Sequence, residues 1–422
     1  MQSIPTGTIT DLAGFRAAGV HCGLKPGDAL DLALLVSERP CTAAAGFTTN
    51  RVKAAPVLYD QALLARNPTA IRAVVVNSGN ANAVTGDQGL RDARRMAEFA
   101  ARAAGCEPDQ VWVMSTGVIG QPLDMAKISA GITAAASALS PDGGRDAARA
   151  IMTTDTVPKE AAVRVRLGAG DVVVAGMAKG AGMIHPNLAT MLAVLVTDAA
   201  VPPDLLDQAL RHAVERSFNC ITVDGDTSTN DTVLLLANGA SGVRIDDPES
   251  ADFRAFRDAV TAVATMLAQK IVRDGEGATK FITIHVCGAP SAGDAKQVAM
   301  AVARSPLVKT ALHGEDANWG RVLAAVGYSG VEVDPARIGL WFAEGGGELG
   351  GTRRNLGELG GRSLQLVRDG RPHQVDEAVA AEILAGEEID ILIDLGFGDG
   401  EATVWTCDLS AEYVRINAHY RT

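Results

Sequence analysis

Aromatic residues are scarce in this chain, at 4% of its 422 residues, whereas glycine is abundant with 45 copies. Apolar residues make up 47% and charged residues 21%, proportions typical of an ordinary globular protein. The length is sufficient to bury a large core and predicts two or three domains. The excess of small side chains over aromatic ones favours a close-packed α/β architecture.

Several features that would define other classes of protein are missing. No run of 18 apolar residues occurs, so we expect no membrane span. The first residues, Met1 to Gly7, contain no basic region followed by an apolar one, so we expect no secretory signal. The formal net charge of −12 argues against nucleic acid or an anionic membrane as a partner.

The six cysteines are scattered without a C-x-x-C pair, and the seven histidines show no i, i+4 pairing. Neither pattern has the ligand spacing of a zinc site, so we expect no metal. Unpaired thiols are typical of a reducing compartment. The cysteine usage therefore favours a cytoplasmic protein.

Strand-like and helix-like segments alternate along the chain, as in α/β proteins. Periodicity predicts strands over 73–77, 111–114 and 281–286, a hairpin over 163–175, and helices over 88–105, 204–214, 248–272 and 295–303. The apolar run from Met191 to Val196 predicts a central strand that is covered on both faces.

The segment from Gly288 to Asp294 is rich in glycine and proline. It predicts a domain boundary, with one domain over 1–287 and a smaller one over 288–422. A second glycine-rich stretch, over 344–361, is typical of a surface loop.

Thr190 lies where a polar, glycine-rich segment that starts at Lys179 meets the apolar run. The segment is not a phosphate-binding loop, because Lys179 precedes the glycines and a strand follows them. A threonine here has two interpretations. It opens a strand, for which its β-branched side chain is suited, or it is a nucleophile with rigid support behind it.

In the second interpretation the Thr190 hydroxyl attacks the Ala189 carbonyl and the chain is cut between them. The freed α-amine, with a pKa of about 7.7–8.0, then acts as a base for its own hydroxyl. His185 is conceivable as the base, although its position before Pro186 is better explained by a turn. Spacing alone leaves these alternatives open.

Eight motifs, in order along essentially the whole chain, resemble the ornithine acetyltransferase family. They are Asn77–Ala83, Ser115–Gly120, Met152–Thr156, Lys179–Leu192, Asp224–Asp231, Asp274–Lys280, His313–Arg321 and the tail from Trp405. The resemblance implies self-cleavage at Ala189–Thr190, which would give an α chain of residues 1–189 and a β chain of residues 190–422.

The resemblance implies an acyltransferase of arginine biosynthesis. It would move the acetyl group of N2-acetyl-L-ornithine to L-glutamate in a ping-pong reaction, through acetyl-Thr190. It also implies a layered αββα sandwich related to the DmpA type, with a C-terminal α/β domain whose tail returns to the active site. An (αβ)2 heterotetramer and a cytoplasmic location are implied as well. No metal or nucleotide cofactor is implied, and acetyl-CoA stays open as a second acetyl donor.

The same resemblance assigns site residues. Thr116 and Gly117 would form the oxyanion hole, which fits a strand end that aims a hydroxyl and an N–H at one oxygen. Lys179 would bind the α-carboxylate that both substrates share, and Glu276 would meet a substrate amine. The remaining substrate contacts implied are Thr156, Thr190, Asn417 and Thr422.

Two rival functions stay open at this point. One is an aminopeptidase or amidase of the related N-terminal-nucleophile fold, in which water resolves the acyl-enzyme. The other is an unprocessed, non-catalytic protein that binds a metabolite.

Overall fold

The computed structural model describes residues 1–185, 191–346, 362–373 and 375–419. These residues form two compact units. The first contains residues 1–219 and 226–271, and the second contains residues 220–225 and the chain from residue 272 onward. We describe each unit by itself.

The first unit contains nine described strands and six helices. The strands are β1 Gln2–Ser3, β2 Phe15–Val20, β3 Leu32–Phe47, β4 Ile71–Asn80, β5 Val111–Val118, β6 Lys159–Leu167, β7 Gly170–Lys179, β8 Leu192–Thr197 and β9 Thr232–Ala237. The helices are α1 Ala55–Arg66, α2 Gly86–Ala104, α3 Met125–Ser137, α4 Gly144–Ala150, α5 Pro203–Arg216 and α6 Ala251–Arg273, whose last residues lead into the second unit.

The strands of this unit form one sheet in the order β1-β6-β7-β8-β9-β3-β4-β5, with β2 added beside β3. Strand β3 belongs to both halves of the sheet. Its first part pairs with β4 and its last part with β9, and the register shifts between Val36 and Cys41. Pro40 lies at this shift and lacks the N–H that a continuous ladder requires.

The two halves of the sheet pack face to face. Val74 and Val76 of β4 share one buried cluster with Met177 of β7 and Val194 of β8. Because side chains alternate along a strand, the intervening Val75 points to the other face, where it packs with residues of α2 and α3.

The second half of the sheet is also covered on its outer face. A Cβ atom placed on Gly176 of β7 would lie 2.9 Å from Leu267 and 3.3 Å from Val263, both in α6. The layers are therefore helix, sheet, sheet and helix, which confirms the predicted αββα sandwich.

The second unit is a smaller α/β arrangement. Its strands are β10 Phe281–Ala289, β11 Gly339–Glu344, β12 Ser363–Arg368, β13 Arg371–Pro372, β14 Glu388–Asp394 and β15 Gly400–Cys407. Its helices are α7 Ala292–Arg304, α8 Pro306–His313, α9 Trp319–Gly327, α10 Glu377–Ala385 and α11 Ala411–Ala418. The strands form one sheet in the order β13-β12-β11-β14-β10-β15.

The domain boundary predicted between residues 287 and 288 falls inside β10. That strand pairs along its length with β14 and β15, so the compact second unit starts earlier, at residue 272. The predicted division into α and β chains at 189/190 lies outside the described residues. Among the helices that the structure describes, none is long and apolar enough to cross a bilayer.

Candidate active site

Thr116 and Gly117 lie at the end of β5, where β4 and β5 run parallel and pair Gly79 with Gly117. Gly117 has φ +131°, and a Cβ atom there would lie 2.3 Å from the Gly79 carbonyl carbon and 2.5 Å from Asn80 N. Only glycine fits such a close approach of two backbones. The crowding fixes the backbone next to the Thr116 hydroxyl, which is itself 2% exposed.

Lys179, the last residue of β7, extends to this turn. Its side chain is buried, and Nζ donates a hydrogen bond to Thr116 Oγ1 at 3.3 Å. The hydroxyl proton of Thr116 has no acceptor among the described residues, so it is available to donate. An ammonium that donates to a hydroxyl oxygen polarises that hydroxyl and makes it a stronger donor. The contact therefore joins two of the predicted site residues.

Asp155 supplies the negative charge of a buried cluster that it forms with Lys159 and Lys179. Its Oδ1 accepts from Lys159 Nζ at 2.6 Å and from Gly180 N at 2.7 Å. Burial opposes ionisation, but the charges of Lys179 and Lys159 and the Gly180 N–H outweigh it and lower the pKa of Asp155 to about 2. The carboxylate thus stays charged at neutral pH.

Thr156 follows Asp155 directly and is exposed, so the structure places this predicted substrate contact at the edge of the same cluster. The sequence alone gives no role to Asp155. It lies in the motif Met152–Thr156, and Lys159 is four residues away, but its other partners, Gly180 and Lys179, are distant in the sequence.

Lys25 is a second residue that the sequence analysis missed. Its Cγ lies 3.3 Å from where a Cβ of Gly79 would be, on the strand end that pairs with Gly117. Burial lowers the pKa of Lys25 to about 8, and Lys179 is one of the charges that act on it. The strand end at Thr116 and Gly117 thus has a second lysine close to it.

In the second unit, two of the residues predicted to contact substrate, Glu276 and Asn417, contact each other. Glu276 is 8% exposed, and its Oε2 accepts from Asn417 Nδ2 at 2.7 Å. Asn417 lies on α11, which packs against the loop that carries Glu276. A Cβ on Gly277 would lie 2.6 Å from Tyr413 N, so glycine permits this contact between loop and helix.

The remaining predicted residues, Ala189, Thr190 and Thr422, lie outside the described residues. Described residues flank the first two closely. Leu192 pairs with Lys179 across β7 and β8, two positions after Thr190. No group of three or more His, Cys, Asp or Glu side chains suited to hold a metal occurs in the part of the chain that the structure describes.

A hydroxyl that receives a hydrogen bond from a buried ammonium, beside a glycine turn, is suited to stabilise negative charge on an acyl oxygen. Within an αββα sandwich this arrangement fits an enzyme that transfers acyl groups.

Comparison with known proteins identifies the family. A sequence profile of the ArgJ family matches residues 16–422. The arginine biosynthesis bifunctional protein ArgJ of Symbiobacterium thermophilum is 54% identical over 99% of both chains. Its mitochondrial counterpart in Heterostelium pallidum is 49% identical over 97% of this chain and 94% of that protein.

A crystal structure of ornithine acetyltransferase from Mycobacterium tuberculosis, complexed with ornithine, shares 46% identity. It covers 44% of this chain and 97% of that chain, with a TM-score of 0.41. On the sequence matches, the chain belongs to the ArgJ family. It is an acyltransferase of that family, which confirms the class of enzyme predicted from the sequence.

Proposed function

We propose that this enzyme moves the acetyl group of N2-acetyl-L-ornithine to L-glutamate and so serves arginine biosynthesis. Acetyl-Thr190 is the intermediate, formed after self-cleavage between Ala189 and Thr190. The observation that carries the proposal is the hydrogen bond from Lys179 to Thr116. Lys179 pairs with Leu192 across β7 and β8, and Leu192 follows Thr190 by two positions. The polarised Thr116 hydroxyl and the buried Lys179 cation therefore lie near the backbone that leads to Thr190.

In the self-cleavage, the Thr190 hydroxyl attacks the Ala189 carbonyl and the acyl group shifts from nitrogen to oxygen. Water then hydrolyses the ester, which leaves the Ala189 carboxylate and a free Thr190 α-amine. An N-terminal α-amine has an ordinary pKa of about 7.7–8.0, so at neutral pH a minority of about 10–20% is unprotonated and can accept the hydroxyl proton.

In the transfer, the Thr190 hydroxyl attacks the acetyl carbonyl of N2-acetylornithine. Thr116 and Gly117 stabilise the oxyanion, and the departing amine of ornithine takes up a proton. The α-amine of glutamate then attacks the acetyl ester and releases N-acetylglutamate. A donor of this kind is typically worth about 10²–10³ in rate.

We infer that Lys179 binds the α-carboxylate common to both substrates, since its buried ammonium is a cation next to the Thr116 hydroxyl. Thr156, which is exposed and follows Asp155 in the sequence, is a further contact. Glu276, held by Asn417, binds a substrate amine, and Thr422 completes the set of substrate contacts.

We further propose a cytoplasmic location and an (αβ)2 assembly of two processed chains. All six cysteines are described, and each is a free thiol, which suits a reducing compartment. The assembly predicts a native mass twice the 43.6 kDa of one chain.

A denaturing gel tests the self-cleavage. The wild type should give two bands of 189 and 233 residues, with Thr190 as the new N-terminus. Thr190→Ala should give one band and no acetyl transfer, because it lacks the nucleophile. Thr133→Ala, on the surface of α3, is the control and should be cleaved normally. An active wild-type enzyme with a single uncleaved band would contradict the mechanism.

Ornithine release separates the transferase from the rival hydrolase. With N2-acetylornithine alone, a transferase should release one burst of ornithine per site and then stop until glutamate is added. Continuous release without glutamate would instead show that water resolves the acyl-enzyme.

A further inference from the structure

Asp231 lies immediately before β9 and is fully buried. Strands β8 and β9 run parallel and pair Leu192 with Thr232, which places Asp231 beside Met191. Its Oδ1 accepts from Met191 N at 3.1 Å, and Thr232 N donates to Met191 O at 3.2 Å. The N–H and the C=O of Met191, the residue after Thr190, are therefore hydrogen-bonded by two consecutive residues, Asp231 and Thr232.

The other carboxyl oxygen of Asp231 has no hydrogen-bond partner among the described residues. The Thr48 hydroxyl, which lies beside this carboxyl, donates elsewhere, to Ser228 O at 2.8 Å. Burial raises the pKa of Asp231 well above its ordinary range, and the Met191 N–H, the nearby Ser228 and Thr48 hydroxyls and the charge of Lys179 offset this only in part.

The residue before Asp231, Asn230, contacts the backbone next to Thr116. Asn230 Nδ2 donates to Ser115 O at 2.8 Å and to Ala81 O at 2.6 Å. Ser115 precedes Thr116, just as Met191 follows Thr190. Two consecutive side chains, Asn230 and Asp231, thus hold the backbone next to the oxyanion donor and the backbone next to the predicted nucleophile.

We propose that Asp231 is a positioning residue: it accepts from the Met191 N–H and so fixes the backbone that directly follows Thr190. This inference rests on the proposed role of Thr190 as nucleophile. In the precursor it would align the Thr190 hydroxyl with the Ala189 carbonyl. After cleavage it would hold a new chain terminus that otherwise frays.

The test compares Asp231→Ala with Asp231→Asn. Alanine removes the acceptor for Met191 N, and a misplacement of the nucleophile by about 1 Å can cost on the order of 10²-fold in rate. We expect Asp231→Ala to slow self-cleavage and to lower kcat per cleaved chain by at least about tenfold, with KM within about twofold. Asparagine has nearly the same shape as aspartate and retains an oxygen that can accept from Met191 N. Asp231→Asn should therefore keep both rates within about threefold of wild type.

Asp60 offers a matched control. It is also fully buried, with one oxygen that accepts from Val113 N at 3.0 Å and one without a partner in the described structure. Asp60→Ala should lower the melting temperature to a degree similar to Asp231→Ala, without the selective loss of kcat. If Asp231→Ala is insoluble, Asp231→Leu, which fills the volume but cannot accept, replaces it with the same expectations.

The outcomes are distinguishable. Normal cleavage of Thr190→Ala would overturn the proposed function, whatever Asp231 does. If Thr190→Ala stays uncleaved but Asp231→Ala is processed and turns over like the wild type, the positioning role is overturned. It is equally overturned if Asp231→Asn loses as much as Asp231→Ala, or if the losses of Asp231→Ala merely match those of Asp60→Ala.

Discussion

Three charged side chains of the first unit, Asp155, Lys159 and Lys179, are almost entirely buried. Burial of charges is costly unless each is paired, and here one carboxylate serves two ammonium groups. The two lysines differ in what else they contact. Lys159 donates to Asp155 at 2.6 Å, whereas Lys179 also donates to the Thr116 hydroxyl. Lys179 is the predicted substrate contact of the two, and Lys159 is not.

Replacement of Lys179 by methionine keeps the volume but removes the charge. Loss of one hydrogen bond from a charged donor costs about 1.5–3 kcal/mol, which corresponds to a loss of about 10- to 100-fold in kcat/KM. We expect most of this loss as a raised KM for both substrates, because both carry the same α-carboxylate.

Lys159→Met is the control for Lys179→Met. It should destabilise the protein in a denaturant titration but leave the KM of the folded enzyme within about twofold, since it removes no substrate contact. A Lys179→Met enzyme with unchanged KM and kcat would remove Lys179 from the site.

At the residue scale, the chemistry of single side chains did not suffice to find this site. Thr116, Lys179 and Glu276 were identified through a family resemblance, because each alone is typical of a turn or a solvated surface. Asp231 was missed. Its contact with Met191 arises from the register of β8 with β9, a long-range pairing that no local pattern encodes.

Among the elements, β8 was the easiest to predict and β3 the hardest. The apolar run of residues 191–196 predicted a central strand, and β8 is buried along its entire length. Strand β3 has an exposed segment at Glu38, Arg39 and Pro40 between its two halves. This segment resembles a turn in sequence, although the strand continues through it from one half of the sheet to the other.

The strand end at Gly117 yields a prediction for an element. Alanine in a left-handed conformation costs roughly 1–2 kcal/mol, and at Gly117 its Cβ would also press on the backbone of Gly79. Gly117→Ala should therefore lose more stability than this conformational cost, and its self-cleavage should slow by about 10²-fold or more.

Gly120→Ala is the matched control, because Gly120 also has positive φ, +85°, but nothing lies within 4 Å of its Cβ position. It should lose only the conformational cost in free energy of unfolding and should be cleaved normally. Equal effects of the two substitutions, measured by denaturant unfolding and by the rate of band conversion, would show that the close approach at Gly117 is unimportant.

For the whole molecule, the fold and the predicted cleavage site have a joint consequence. Strands β3 and β7 precede residue 189, whereas β8 and β9 follow residue 190. Their order in the sheet is β7-β8-β9-β3, so the predicted α and β chains alternate within one sheet. The inner core likewise mixes residues of the two chains, such as Val76 and Val194. Neither chain has a complete core without the other.

We therefore expect the cleaved chains to stay together until the first unit unfolds. In native size-exclusion chromatography, cleaved wild type and uncleaved Thr190→Ala should elute at the same volume. In a urea titration, chain separation should coincide with the loss of the circular dichroism signal, because separation breaks the β7–β8 and β9–β3 ladders and opens the shared core. Separation of the chains at a urea concentration where the signal is still native would show that the two chains do not share this sheet.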